Sequence, residues 1–263
     1  MPAPIGLITD FGLDDWYVGV MKSVVLTVNP AAKIVDLTHG VPPQDITAAN
    51  FAVLASYRYL PPCSVIAVIV DPGVGGKRKI LCARSAARTF VFPDNGVLTE
   101  VLDREPPDAL VSVENPEFFL EHVSATFHGR DIFAPVAAHL SLGTDMERLG
   151  PATDAYVRVR IPSPEIGDGC ATVRVRWIDR FGNLITDCPA DIVAQVSEKW
   201  GGIALDLGAP GRAPLVTAYD TVRPGQAMGI IGSSGRLEVS VREGSAARVL
   251  GLSLGDTIIL CTP

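Results

Sequence analysis

The stretch 64-SVIAVIVDPGVGGKR-78 decides how the first half of the chain is read. The run SVIAVIV is apolar without alternation, as in a strand of a sheet covered on both faces. It breaks at Asp71-Pro72 into a glycine-rich turn that ends on Lys77-Arg78. Gly73, Gly75 and Gly76 permit a tight turn and a close backbone approach, but they do not name a ligand. Both GxxxxGK[ST] and GxGxxG are absent, so the turn is not a phosphate loop of either kind. What remains is an aspartate and an arginine on either side of a turn at the mouth of a buried strand. A structural ion pair accounts for them as readily as a site does.

The segments around this strand alternate in type. Upstream, PIGLIT (4–9) and KIVDL (33–37) are strand-like, WYVGVMKSVVLTV (16–28) is helical, and DITAANFAVLASYRYL (45–60) is a helix with Asp45 available as its cap. Downstream, KILCA (79–83) and TFVFP (89–93) are strands, and RDIFAPVAAHLSL (130–142) is a helix with Pro135 in its first turn or kinking it. Such alternation gives an α/β domain with ligand-capable loops at strand ends. The texture changes near Gly150. After AYVRVRIPSPEIGDG come CATVRVRWID, GIALDL, AMGIIG, LEVSV and TIILC, short apolar pieces punctuated by Gly and Pro. They predict a smaller all-β domain. The expected division is an α/β domain over 1–150, a linker over 151–164 and a β domain over 165–263.

Composition excludes several classes. Hydrophobic residues make up 48% of the 263 and charged ones 19%, a globular balance. The formal charge is −7, with no basic block interleaved with aromatics, so nucleic acid is not an expected partner. Five dispersed cysteines form neither a CxxC pattern nor a disulfide framework, and read as thiols in a reducing compartment. No basic-then-apolar leader opens the chain, and no apolar run reaches about 18 residues. A cytoplasmic protein without membrane association is expected.

Several residues invite a chemical reading. Asp10 ends the first strand in ITDFG; by itself it is a turn former or helix cap, or a carboxylate with capacity for two ligand hydroxyls. Asp14 and Asp15 follow as helix caps. His128 opens the charged cluster HGRD, and Asp179 to Asn183 close a strand as DRFGN, a turn in its own right. Gly232-Ser233-Ser234-Gly235 makes a turn rich in N–H and hydroxyl groups. No HxH, HExxH or Cys/His pairing supports a metal, and no GxSxG elbow supports a serine hydrolase.

Five motifs stand in one order along nearly the whole chain: ITDFG, DPGVGGKR, FHGRDIFAP, DRFGNLITD and SSGRLEVSVREGSAARVLG. Together they resemble the S-adenosylmethionine (SAM) hydroxide adenosyltransferases, relatives of the SAM-dependent chlorinases and fluorinases. The resemblance implies an N-terminal three-layer α/β domain and a C-terminal all-β, barrel-like domain. It also implies a homotrimer, or a dimer of trimers, with SAM held between the N-terminal domain of one subunit and the C-terminal domain of its neighbour. Hydrolysing members are distinguished by an Asp/Arg/His set, matched here by Asp71, Arg78 and His128. Halogenating members lack that arginine and histidine, and the fluorinase insertion has no counterpart here. By the same resemblance Asp10 takes the ribose diol, Asp179 the methionine ammonium, Asn183 an adenine-side contact and Ser233 the methionine carboxylate. Glu243 completes the substrate-binding set. Gly232 stands where asparagine is usual, and Arg242 replaces a common asparagine. The implied reaction is attack of water or hydroxide on C5′ of SAM to give adenosine and L-methionine, without metal or cofactor. Arg78 and His128 would hold developing hydroxide-like charge while Asp71 orients the water or accepts its proton. The alternatives are a halogenase of the same fold and a SAM- or nucleoside-binding module without turnover.

Overall fold

Strand β3 (Val65–Ile69), the core of the stretch quoted above, is buried at all five of its residues. It lies inside a six-stranded sheet in a computed structural model that describes residues 2–208 and 211–263. The chain divides into two units that meet at Ile161 and Pro162.

In the first unit β1 (Ile5–Thr9), α1 (Tyr17–Val28), β2 (Ile34–Thr38) and α2 (Ile46–Ser56) precede β3. After it come β4 (Ile80–Ser85), β5 (Arg88–Pro93), α3 (Thr99–Arg104), β6 (Ala109–Ser112) and α4 (Ala134–Ser141). The sheet order is β2-β1-β3-β5-β4-β6. β2, β1, β3 and β5 run parallel, and β4 pairs antiparallel with both β5 and β6. Val65, Ala67 and Ile69 share a core with Met21 and Val25 of α1 and Val136, Ala137 and Leu140 of α4. Alternation sends Ile66 and Val68 to the opposite face, where they are equally buried. Burial on both faces is why β3 reads as an unbroken apolar run. Asp45 caps α2, its Oδ1 accepting the Ala48 amide at 2.8 Å. A π-helical turn over Gly129–Phe133 leads into α4, and Pro135 sits in the first turn of the α-helical part; the Asp131 carbonyl four residues before it accepts the Leu120 amide at 2.9 Å instead.

The second unit is a barrel. Its elements are β7 (Glu165–Ile166), β8 (Cys170–Ile178), β9 (Leu184–Pro189), α5 (Ala190–Trp200), β10 (Ala204–Asp206), β11 (Arg212–Val216), β12 (Ala227–Ile231), β13 (Arg236–Val241), α6 (Ala246–Leu250) and β14 (Thr257–Cys261). The order β14-β10-β11-β12-β13-β9-β8 closes through pairing of β14 with β8, and β7 adds to the outside of β8. Closure removes the exposed edges that short strands would otherwise present. Val173, Val175, Leu184, Leu205, Leu237, Val239 and Leu260 fill the interior. The barrel also carries α5, which buries Val193 and Val196 and ends on Gly201 at φ 70°. Gly and Pro punctuation does not mark this 11-residue helix, whose signal is the helical spacing of Ile192, Val193, Val196 and Trp200. Among the described residues no helix is long and apolar enough to cross a membrane.

Replacing Asp45 by Ala leaves the Ala48 amide without its acceptor, and such caps are worth about 1 kcal/mol. Denaturant titration of the variant is expected to show a loss of that size with an unchanged m-value.

Candidate active site

β1 and β3 are neighbours and end in register, Thr9 opposite Ile69. β2 flanks β1 on its other side, so successive connections diverge at this point of the sheet. The carboxyl ends of strands at such a divergence form the crevice where open α/β sheets take ligands. Asp10 and Asp71 both leave the sheet there.

The turn that carries Asp10 is gripped from β2. Fully buried Thr9 sets its Oγ1 2.9 Å from Nδ1 of His39 and accepts the Phe11 amide at 3.3 Å. The His39 carbonyl accepts the Gly12 amide at 2.8 Å, and Nε2 of the same ring lies 3.0 Å from Asp36. Asp10 itself accepts the Gln44 amide on Oδ2 at 2.8 Å. Burial raises its pKa above the ordinary carboxylate value, and the nearby Asp71 charge adds to the rise against the pull of the Gln44 amide. Its remaining acceptor capacity belongs to a cavity of about 380 Å³ whose other walls include Phe11, Tyr17, Asp71, Phe127 and His128.

Arg78 folds back on the aspartate at the other end of its turn. Its Nε lies 3.0 and 2.9 Å from the two oxygens of Asp71, and its Nη2 lies 2.5 Å from Oδ2. The same Nη2 lies 2.7 Å from Nδ1 of His128. A guanidinium only donates, so Nδ1 accepts and the ring is the neutral tautomer with its proton on Nε2. Burial pushes the His128 pKa below its ordinary value, and the Arg78 charge pushes the same way against Asp71 and Asp131. Asp71 and His128 line the cavity, whereas Arg78 stands behind both as the group that joins them.

The glycines serve this arrangement. A Cβ on Gly73 would meet Cγ of Arg78 at 3.3 Å, so the bare backbone leaves room for the fold-back. Gly75 has φ +73°, and a Cβ there would stand 2.1 Å from the Ala125 carbonyl oxygen. The turn is therefore pressed against the segment that presents Phe127 and His128. That segment is strapped down by Asp131, which is 0% exposed and accepts both the amide and the hydroxyl of Ser124 on Oδ2 at 2.8 Å. Burial alone would raise the Asp131 pKa; the bonds from Arg130 and Ser124 outweigh it and hold the group ionised, below its ordinary value.

The other four residues singled out in the sequence come together on the barrel. Asp179, Asn183, Ser233 and Glu243 line one cavity of about 1140 Å³. Asp179 organises its own turn, Oδ1 accepting the Phe181 and Asn183 amides and Oδ2 the Asn183 side-chain amide, each at 2.9 Å. Gly182 is required there, since a Cβ would fall 2.0 Å from Oγ of Ser245. Tyr219 and Glu238 also line this cavity and were not anticipated. Tyr219 lies outside the five motifs; Glu238 lies within the last of them, and the alternation in RLEVSV already sets Glu238 and Ser240 on the face opposite Leu237 and Val239.

Protonating His128 would remove the lone pair that Arg78 uses and set two cations against each other. The ring is therefore expected to titrate below 6.5, and stability to fall as pH drops through that value, where the unfolded chain takes up the proton more readily. An NMR titration of the ring checks this; a midpoint at or above the ordinary value would contradict the Arg78–Nδ1 bond.

Comparison with known proteins gives a consistent result. Residues 5–150 match the family model of the SAM hydroxide adenosyltransferase N-terminal domain, and residues 173–259 match that of the C-terminal domain. A protein of Thermus thermophilus named (R)-S-adenosyl-L-methionine hydrolase is 38% identical over 98% of this chain and 99% of its own length. One of the same name from Salinispora tropica is 34% identical over 98% of this chain and 97% of its own. A fluorinase of Nocardia brasiliensis is 26% identical over 97% of this chain and 95% of its own. The crystal structure of an uncharacterized conserved protein from Thermotoga maritima superposes with a TM-score of 0.92 at 37% identity, covering 98% of this chain and 99% of that one.

Proposed function

We propose that this chain, which belongs to the SAM hydroxide adenosyltransferase family, is an S-adenosyl-L-methionine hydrolase that forms adenosine and L-methionine. The observation that carries this reading is the Asp71–Arg78–His128 cluster on one cavity with Asp10. The name of its relatives supports it, and specifies the (R) configuration at the stereogenic sulfonium.

The water oxygen attacks C5′, the C5′–S bond breaks with its electron pair going to sulfur, and the sulfonium leaves as the neutral thioether of methionine. A neutral leaving group needs no general acid. The demand falls on the nucleophile, which must be held in line with the breaking bond and relieved of one proton. His128 donates from Nε2 to the water oxygen, and Asp71, which only accepts, takes a hydrogen bond from the water. This pair of contacts turns a lone pair toward C5′. Asp71 is the only member of the cluster with acceptor capacity left, since Nδ1 of His128 is already bound to Arg78. The released proton therefore leaves through Asp71 to solvent. Arg78 acts as a positioning residue that sets the angle of Asp71 and the tautomer of His128. Asp10 takes the ribose diol, while Asp179, Asn183, Ser233 and Glu243 bind the adenine and amino-acid ends from the barrel.

Because these contacts are divided between two units, the proposal extends to a cytoplasmic homotrimer or dimer of trimers. In it the barrel of one subunit completes the cavity of its neighbour.

Purified protein incubated with sulfonium-resolved SAM is expected to consume the (R) epimer faster and to yield adenosine and methionine with or without chloride or fluoride. A dominant 5′-halo-5′-deoxyadenosine product, or bound SAM that persists for hours, would overturn the assignment.

Asp71→Asn is expected to lower single-turnover hydrolysis by about 10²–10³, the usual cost of losing a catalytic electrostatic contact, with a much smaller change in SAM dissociation constant. Asp10→Ala is expected to act mainly on that constant, because a ribose contact serves ground and transition states alike. Light scattering that gives a fully active monomer would sink the shared site.

A further inference from the structure

Glu238 is a buried carboxylate aimed into the barrel cavity with one oxygen in use and the other open. It is 5% exposed, on β13, and lines the same cavity as Asp179 and Ser233. Its side-chain hydrogen bonds among the described residues all fall on Oε1, which accepts from the Tyr219 hydroxyl at 2.7 Å and from Ser240 Oγ at 2.8 Å. Burial, then Glu238 and Asp179, push the Tyr219 pKa up to about 12, so the phenol stays a donor. Oε2 lies over Gly232, where an added Cβ would come within 2.5 Å of it. The missing side chain at position 232 thus makes room for this oxygen.

A carboxylate oxygen at a cavity wall whose lone pairs the protein leaves unused can accept a charge-assisted hydrogen bond from a ligand's cationic N–H. The cavity wall carries both signs of charge, with Asp179, Glu238 and Glu243 beside Arg180 and Arg242. That mixture suits the zwitterionic amino-acid end of a ligand whose purine end is neutral. Asp179 is also largely engaged by its own turn. We infer that Glu238 is a substrate-binding residue whose Oε2 accepts a hydrogen bond from the ammonium of the amino-acid end, with Tyr219 and Ser240 holding the carboxylate in place. This assignment rests on SAM being the substrate.

Calorimetry with S-adenosyl-L-homocysteine tests it, because that ligand keeps the ammonium while its leaving group is too poor for turnover. Its deaminated analogue is the comparison. Glu238→Gln, which preserves shape and both donors to Oε1, is expected to bind the amino ligand about tenfold to a hundredfold more weakly, as for loss of a charged hydrogen bond. It is expected to bind the deaminated analogue as the parent does. Gly232→Ala, which crowds Oε2, is expected to shift the same way. Folded variants that bind the amino ligand like the parent, or that lose both ligands equally, would overturn the role of Glu238. A parent that binds neither ligand and leaves SAM intact would instead overturn the substrate reading, and this assignment with it.

Discussion

One guanidinium orders the proposed catalytic cluster of this protein. A guanidinium has no acceptor, so whatever Arg78 touches must supply lone pairs. It touches Asp71 through two nitrogens and His128 through one of them. Those contacts bind the aspartate through both of its oxygens and leave the imidazole a neutral ring with its proton turned away from Arg78. A water between the two then meets one acceptor and one donor, the polarity that orients a lone pair. A halide has no proton to place and would gain nothing from the acceptor.

The cluster inherits its position from the sheet. β1 and β3 stop in register, and their carboxyl ends open at the point where connections diverge. Nothing in that geometry requires a particular chemistry; it supplies a place where two loops face each other. The close approach of Gly75 to Ala125 converts two loops into one support, and buried Asp131 ties down the second of them. Side chains held at both ends in this way lose little entropy when a substrate arrives, which is how positioning contributes to rate.

The barrel solves a different problem. Its strands are short, and closure of β14 on β8 pairs the two ends of the seven-strand run without a long hydrophobic sheet. Along β13 alternate residues fill the interior while Glu238 and Ser240 stand on the other face. A closed barrel deforms little, so polar groups on that face keep their spacing.

From the residues alone, the α/β character of the first half followed from the unbroken apolar run of β3 and from the alternation of segment types. The short-strand character of the second half followed from its turns. Both are local properties, written in periodicity and in Gly and Pro. The order of the five motifs pointed to the family, and Asp10, Asp71, Arg78 and His128 were legible as members of those motifs. Helix α5 was written there too, in the helical spacing of Ile192, Val193, Val196 and Trp200, but the Gly and Pro turns by which the second half was read do not mark it. Nor could the sequence show that Arg78 lies behind Asp71 and His128, or that Gly75 serves the approach of a second loop. Those facts depend on residues about 50 positions apart meeting in space. Glu238 and Gly232 illustrate the same limit: each is ordinary in its own segment. Only the pairing of β12 with β13 and the turn between them set a bare glycine beside the free oxygen of that carboxylate.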